Sequence, residues 1–223
     1  MSRWQIICYA AWTGTLTTRE AFRRAGWRAL ISPIYLDKFS NFPTYDDKSC
    51  APFMLDNGAW SAHVKGIPFD DDAFMLAVER WGDRADWVVL PDIVGGGMLS
   101  LQLSLSYLER LHGLPLMLAV QDGMTPETIG SLPDSIGGLF VGGTTKWKLK
   151  NAGLWSSYAK GRGLWCHVGR VNTMRRIALC QQIGADSCDG SGATRFPVTL
   201  DRLQAQRVTP QLGLFNFKSR VTP

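Results

Sequence analysis

Three aspartates stand where short apolar runs give way to polar or glycine-rich residues: Asp56 in APFMLDNG, Asp92 in DWVVLPD and Asp189 in ADSCDGSG. Gln121 and Asp122 close LPLMLAVQDG, Gly142 and Gly143 close GGLFVGG, and His167 and Arg170 close GLWCHVGR. Two carboxyl groups across a small site suit glycosyl chemistry, one attacking an anomeric carbon and the other moving a proton on the leaving group. A third carboxylate with an amide and exposed glycine backbone suits a planar ligand carrying both donors and acceptors, such as guanine. Aldolases, isomerases and phosphate-binding barrels draw on the same residue types, and an Asp after a strand also serves as a turn former or helix cap. His167 fits either a barrel-core histidine or a contact to ribose or phosphate. Asp122 reads as structural, and Trp60 and Trp147, beside these segments, are placed to stack on a base.

These residues need a scaffold that brings strand ends together. Eight apolar runs (5–12, 27–33, 51–58, 86–92, 114–123, 137–143, 163–170 and 185–192) recur along the chain. Helical patterns lie between several of them, at 17–26, 70–83, 100–113 and 173–184; the first has Thr caps, the second opens with three acids, and all but the second end in Gly. Alternation of this kind predicts a parallel β/α protein. Repeats of about 20 to 35 residues are near the unit of a compact (β/α)8 barrel. An open doubly wound sheet is disfavoured, since no GxGxxG or GxxxxGK[ST] follows the first run. The reading is one domain over 1–223, with a last helix at LDRLQAQ and a short C-terminal arm packing by Leu214, Phe215 and Phe217. In the barrel, all the polar residues above fall on one rim, because the loops after the strands form it.

Charge and cysteines narrow the partners. Residues 1–144 hold 11 Lys and Arg against 16 Asp and Glu, whereas residues 145–223 hold 13 against 3. A basic third beside an acidic remainder predicts a face meeting a polyanion, with Lys146, Lys148, Lys150, Arg162, Arg170, Arg175 and Arg176 along one side of the mouth. The plain alternative is a solvated basic surface. No apolar run of about 18 residues predicts a membrane span. The apolar N-terminus reads as a first buried strand rather than a signal peptide. Five cysteines without a CxxC pair argue against a disulfide framework and a zinc site, and fit a reducing cytoplasm. No metal or cofactor is expected.

The ordered segments resemble the tRNA-guanine transglycosylases, above all their DNA-acting relatives that insert 7-deazaguanines into phage or bacterial DNA. LDNGAW (55–60) resembles the family's DSGGFQ segment and WVVLPD (87–92) the strand ending in its base-reading Asp. LAVQDG (118–123) is similar to VQGG, GLFVGG (138–143) to GYAIGG, and GADSCDGSG (184–192) to GVDMFDCVLP. The resemblance covers residues 50 to 195 and implies a transglycosylase barrel. Asp189 would be the nucleophile, Asp56 the proton-transfer group, Asp92, Gln121, Gly142 and Gly143 the base-binding set, and Asp186 a supporting residue. His167 and Arg170 complete the substrate-binding candidates. The family's C-terminal CxCxxC…H zinc module has no counterpart here, and GSGATR (190–195) replaces the PTR after the nucleophile. The resemblance therefore implies exchange of guanine for a free 7-deazaguanine in DNA rather than tRNA, through a covalent aspartyl-glycosyl intermediate. Two alternatives stand beside it: an N-glycoside hydrolase using the same carboxylates, and a catalytically silent nucleic-acid-binding barrel partnering a true transglycosylase.

Overall fold

The computed structural model describes residues 5–13, 15–33 and 52–208. The strands are β1 (Ile7–Ala11), β2 (Arg28–Ile31), β3 (Phe53–Leu55), β4 (Trp87–Val89), β5 (Leu116–Val120), β6 (Ile136–Val141), β7 (Trp165–Val168) and β8 (Ser187–Gly190). They pair in sequence order, all parallel, and β1 closes on β8 with Cys8 opposite Cys188 and Tyr9 opposite Asp189. The fold is a (β/α)8 barrel, and each strand falls inside one of the eight runs that the sequence predicts or, at β6, overlaps it.

Alternation along the strands sorts side chains into two layers. Tyr9, Met54, Val89, Met117 and Ala119 point inward and fill the barrel, with Phe140 and Trp165 packed against them. Cys8, Ala10, Leu55, Leu118, Leu139, Cys166 and Cys188 point outward, under the helices. Near the N-terminal end of the strands, the Tyr9 hydroxyl donates to Asp86 (3.0 Å), which also pairs with Arg28 (3.0 Å). The barrel interior is thus a packed core.

The helices are α1 (Leu16–Arg24), α2 (Ala59–Lys65), α3 (Asp71–Trp81), α4 (Met98–Ser106), α5 (Pro126–Ile129), α6 (Thr145–Gly161), α7 (Met174–Ile183), α8 (Gly192–Arg195) and α9 (Leu200–Val208). Four match the helical patterns, and α9 matches the last helix expected at LDRLQAQ. Side chains cap several of them: Asp70 accepts from Ala73 N–H (2.9 Å), Thr144 from Trp147 (3.3 Å) and Thr173 from Arg176 (3.3 Å). The longest helix, α6, has no clear amphipathic signature, because Asn151, Gly153, Ser156 and Ser157 interrupt its apolar positions. It is held instead by burial of Ala152, Trp155 and Ala159 against the barrel. The arm expected at Leu214, Phe215 and Phe217 lies outside the described residues. Among those described, no helix is long and apolar enough to cross a membrane.

Trp155 is fully buried where α6 meets the barrel. Truncation there removes a large apolar surface and leaves a cavity that the surrounding strands cannot collapse into. Trp155→Ala should lower unfolding free energy by about 3–5 kcal/mol, read from the midpoint of urea denaturation at unchanged m-value.

Candidate active site

A cavity of about 480 Å³ opens at the C-terminal ends of the strands. Asp56, Asp92, Gln121, Gly142, Gly143, Arg170 and Asp189 all line it. Of the substrate-binding candidates only His167 stays outside.

Asp189 lies within β8, its side chain inside the barrel near the top. Its Oδ1 accepts from His167 Nε2 (3.0 Å) and from the backbone N–H of Arg170 (3.2 Å). His167 is fully buried, stacked on Phe140 (4.7 Å between ring centroids) and edge-on to Tyr9 (5.7 Å). Its Nδ1 meets Ser187 Oγ (2.9 Å), which in turn accepts from Trp165 Nε1 (2.8 Å). The chain is satisfied when Ser187 donates to Nδ1 and Nε2–H donates to Asp189. His167 is therefore not a ribose or phosphate contact: it is a core histidine that orients Asp189. Gly190 follows because a Cβ there would sit 2.4 Å from the Val171 carbonyl and 2.7 Å from Asn172 Oδ1.

Asp56 ends β3 and accepts the Gly58 N–H (3.3 Å) at the start of α2. Burial pushes its carboxyl up to about 7, and the Asp189 and Asp92 carboxylates add to the rise. Near neutrality it exchanges a proton readily, as a general acid or base must. Burial also raises Asp92, but two amides oppose the rise: Asn57 Nδ2 donates to Oδ1 (2.7 Å) and Gln121 Nε2 to Oδ2 (3.2 Å).

Gln121 has little left to offer a ligand. Its Nε2 also donates to the Ile93 carbonyl (2.8 Å) and Ser100 Oγ (2.7 Å), and its Oε1 accepts from Gly95 N–H (2.6 Å). It fixes Asp92 and the loop after β4. The Gly142 N–H is likewise spent, donating to Val120 O (2.9 Å) in the barrel ladder. Gly143 turns the chain at φ 71°, where a Cβ would meet Asp122 Oδ2 at 2.5 Å. Asp122 accepts from the Thr144 N–H (2.6 Å) and hydroxyl (2.7 Å), tying β5 to the start of α6.

Arg170 is the only described non-glycine residue at positive φ, 56°. Such a conformation costs of order 1–3 kcal/mol and persists only where the surroundings impose it. Its guanidinium lies 3.8 Å from the centre of the Trp60 ring and donates through Nη2 to the Gly143 carbonyl. It thereby spans from the loop after β6 to α2 across the mouth. Trp60 lines the cavity and is 41% exposed, whereas Trp147 packs toward Trp155. Ser191, Thr194, Arg195 and Asn172 complete the wall beside Asp189.

Two further expectations are corrected. Asp186 precedes β8, so it lies at the N-terminal end of the barrel, accepting from Cys166 N–H (2.8 Å), and cannot support chemistry at the mouth. The basic row is also broken. Lys148 is buried, and Arg162 follows the C-terminal end of α6, away from the mouth. Lys146, Lys150, Arg170, Arg175, Arg176 and Arg195 sit in loops or the first two helical turns after strands, on the mouth side.

No protein-family model matches the chain, and no curated protein matches it in sequence. The reading of the site rests on its own geometry. That geometry includes partners the sequence does not single out: Asn57, Ser100 and Ser187. A signal existed for Ser100, which with Ser104 places two hydroxyls one turn apart on a leucine-rich helix, both buried.

A carboxyl that is neutral in the folded state near pH 6 is already ionised in the unfolded chain. The folded state then binds more protons, so this contribution to stability is full below about pH 4 and is lost as pH rises through 7. Asp56→Asn should consequently gain stability relative to the parent across pH 4 to 7 and then level off, by roughly 1–3 kcal/mol once solvent in the open cavity is allowed for. Denaturation of both proteins at a series of pH values checks this; a stability difference that stays flat with pH would place Asp56 in ordinary solvated surroundings.

Proposed function

We propose that the chain is a base-exchange glycosyltransferase that replaces guanine by a 7-deazaguanine in DNA through a glycosyl ester on Asp189. The observation that carries this reading is the sharing of one cavity by Asp189, Asp56 and Asp92, each held differently. Asp189 is oriented through one oxygen, Asp56 is poised to move a proton at neutral pH, and Asp92 is clamped by two amides. A cavity of about 480 Å³ lies within the usual range of small-ligand pockets, roughly 300–1,000 Å³.

In the first half-reaction Asp189 Oδ2 attacks C1′ and the bond from C1′ to the base nitrogen breaks. The departing base takes the bonding electrons and receives the Asp56 proton. In the second, Asp56 as carboxylate removes a proton from the incoming base, whose nitrogen attacks C1′ from the face just vacated. The C–O bond to Asp189 breaks, and two inversions give retention. Asp92 accepts from the N–H edge of the base, and Trp60 with the Arg170 guanidinium offers a stacking surface.

The nucleotide must leave the helical stack, because C1′ and the base edge are unreachable in a duplex. The exposed Lys146, Lys150 and Arg175 on the mouth side, with Arg195, suit the phosphates flanking it. The described cysteines Cys8, Cys166, Cys180 and Cys188 are free and buried, which fits work in the cytoplasm, where DNA is found.

Incubation with DNA and labelled guanine or 7-cyano-7-deazaguanine tests the reaction, and label should enter the polymer. Base released without incorporation would make the enzyme a hydrolase; neither outcome in the presence of tight DNA binding would make it a silent partner. Asp189→Asn should lower exchange at least about 10³-fold and abolish a denaturation-resistant adduct with DNA, since an amide forms no glycosyl ester. Near wild-type turnover in this variant would sink the nucleophile assignment.

DNA affinity should fall about tenfold or more between 50 and 200 mM salt if several phosphates are neutralised. Lys146→Glu with Lys150→Glu should weaken binding across sequences. Affinity flat with salt and untouched by the reversals would move the substrate to free nucleosides.

A further inference from the structure

Lys148 is the only buried lysine among the described residues, 2% exposed in a helix whose neighbouring lysines, Lys146 and Lys150, face solvent. A lysine there for packing alone would be replaceable by Met or Leu, without the cost of desolvating an ammonium. Its Nζ donates to the carbonyl of Gly169. That carbonyl belongs to the same peptide group as the Arg170 N–H, which donates to Asp189 Oδ1 (3.2 Å).

The peptide is fixed on all sides. Gly169 N–H donates to Val141 O (3.1 Å), Val171 N–H to the Asp189 carbonyl, and Arg176 Nη1 to Arg170 O (3.3 Å). A Cβ on Gly169 would lie 2.7 Å from the Phe140 ring, so the backbone runs against the barrel interior. A cation at the carbonyl polarises the amide, making its N–H a stronger donor to an anion at the other end. Arg170 accepts a strained backbone conformation in completing this line.

We propose that Lys148 is a positioning residue: its ammonium grips and polarises the Gly169–Arg170 peptide, whose N–H fixes Asp189 Oδ1. Among the described residues Oδ2 then remains as the oxygen without a hydrogen bond, available for substrate. The part this plays in turnover rests on the reading of Asp189 as the nucleophile. The hydrogen-bonded line itself does not.

The wild-type chain offers its own switch. Burial, then the Arg170 and Arg176 cations, push Lys148 down to about 8, while Asp189 and the Cys180 thiol oppose them. The lysine is thus charged at pH 6 and neutral at pH 10. The experiment follows the Arg170 amide by ¹H–¹⁵N NMR and the Asp189 ¹³Cγ shift over that range, on the full chain. An Asp56→Asn background removes the carboxyl that titrates near 7.

Both signals should inflect together near pH 8, with the amide proton moving upfield as the ammonium is lost. Lys148→Met should abolish both inflections. Lys148→Arg, which stays charged, should abolish them too but keep the resonances near their low-pH positions. An Arg170 inflection with an unresponsive Asp189 would overturn the proposal and leave Lys148 as an anchor of α6. Inflections surviving in Lys148→Met would overturn it as well. If neither variant folds, the wild-type titration decides alone.

Where exchange is observed, Lys148→Met should lower the yield of the Asp189 adduct about tenfold at unchanged affinity for guanine, and Lys148→Arg should restore most of it. Coupled inflections in a chain that forms no adduct would retain the Lys148 line and reject the transglycosylase reading.

Discussion

Three carboxyl groups share one small cavity, and burial raises the cost of charging two of them, Asp56 and Asp92. The polar architecture of the barrel mouth answers that constraint. Asp56 gives way and holds its proton to about neutrality. Asp92 is kept in place by Asn57 and Gln121, and Asp189 by His167 and the Arg170 peptide. The three carboxyls are thus held in three different ways, as the proposed acid–base and covalent chemistry in a single site would require.

The supporting groups are spread around the ring of strands. Gln121, from β5, binds the loop after β4; Ser187 and Trp165 brace His167 from β8 and β7; Lys148 reaches from α6 to the loop after β7. Most of these groups are buried and fully used. Such networks are costly if half satisfied and rigid when complete, so the mouth is preorganised before any ligand arrives. The conformational strain at Arg170 sits within that network.

Polarity also differs between the two ends. At the N-terminal end, Tyr9, Arg28 and Asp86 close on one another, and Asp186 ties β8 to β7. Arg28 and Asp86 neutralise each other there. At the C-terminal end acids surround the pocket, while exposed lysines and arginines after β6, β7 and β8 stand around it. An acidic pocket within a basic rim fits the proposed substrate, a base carried on a polyanion.

The sequence by itself determined the barrel. Eight apolar runs bounded by glycine or polar residues reflect strands buried on both faces, a pattern local enough to be read without contacts. It also marked Asp56, Asp92, Gln121, Gly142, Gly143, Arg170 and Asp189 as rim residues, because strand ends are visible as the points where the runs stop. What each residue does there was decided only in three dimensions. Gln121 and His167 look like ligand contacts until their partners, Gly95, Ser100 and Asp189, arrive from distant segments. Asp186 and Asp189 lie three residues apart in one run yet serve opposite ends of the barrel, since one precedes β8 and the other lies near its C-terminal end. Lys148 reads as one of three alternating surface cations, and α6 shows no amphipathic stripe to say which face is inside. Burial, hydrogen-bond partners and charge crowding come from residues far apart in the chain, which no local pattern records.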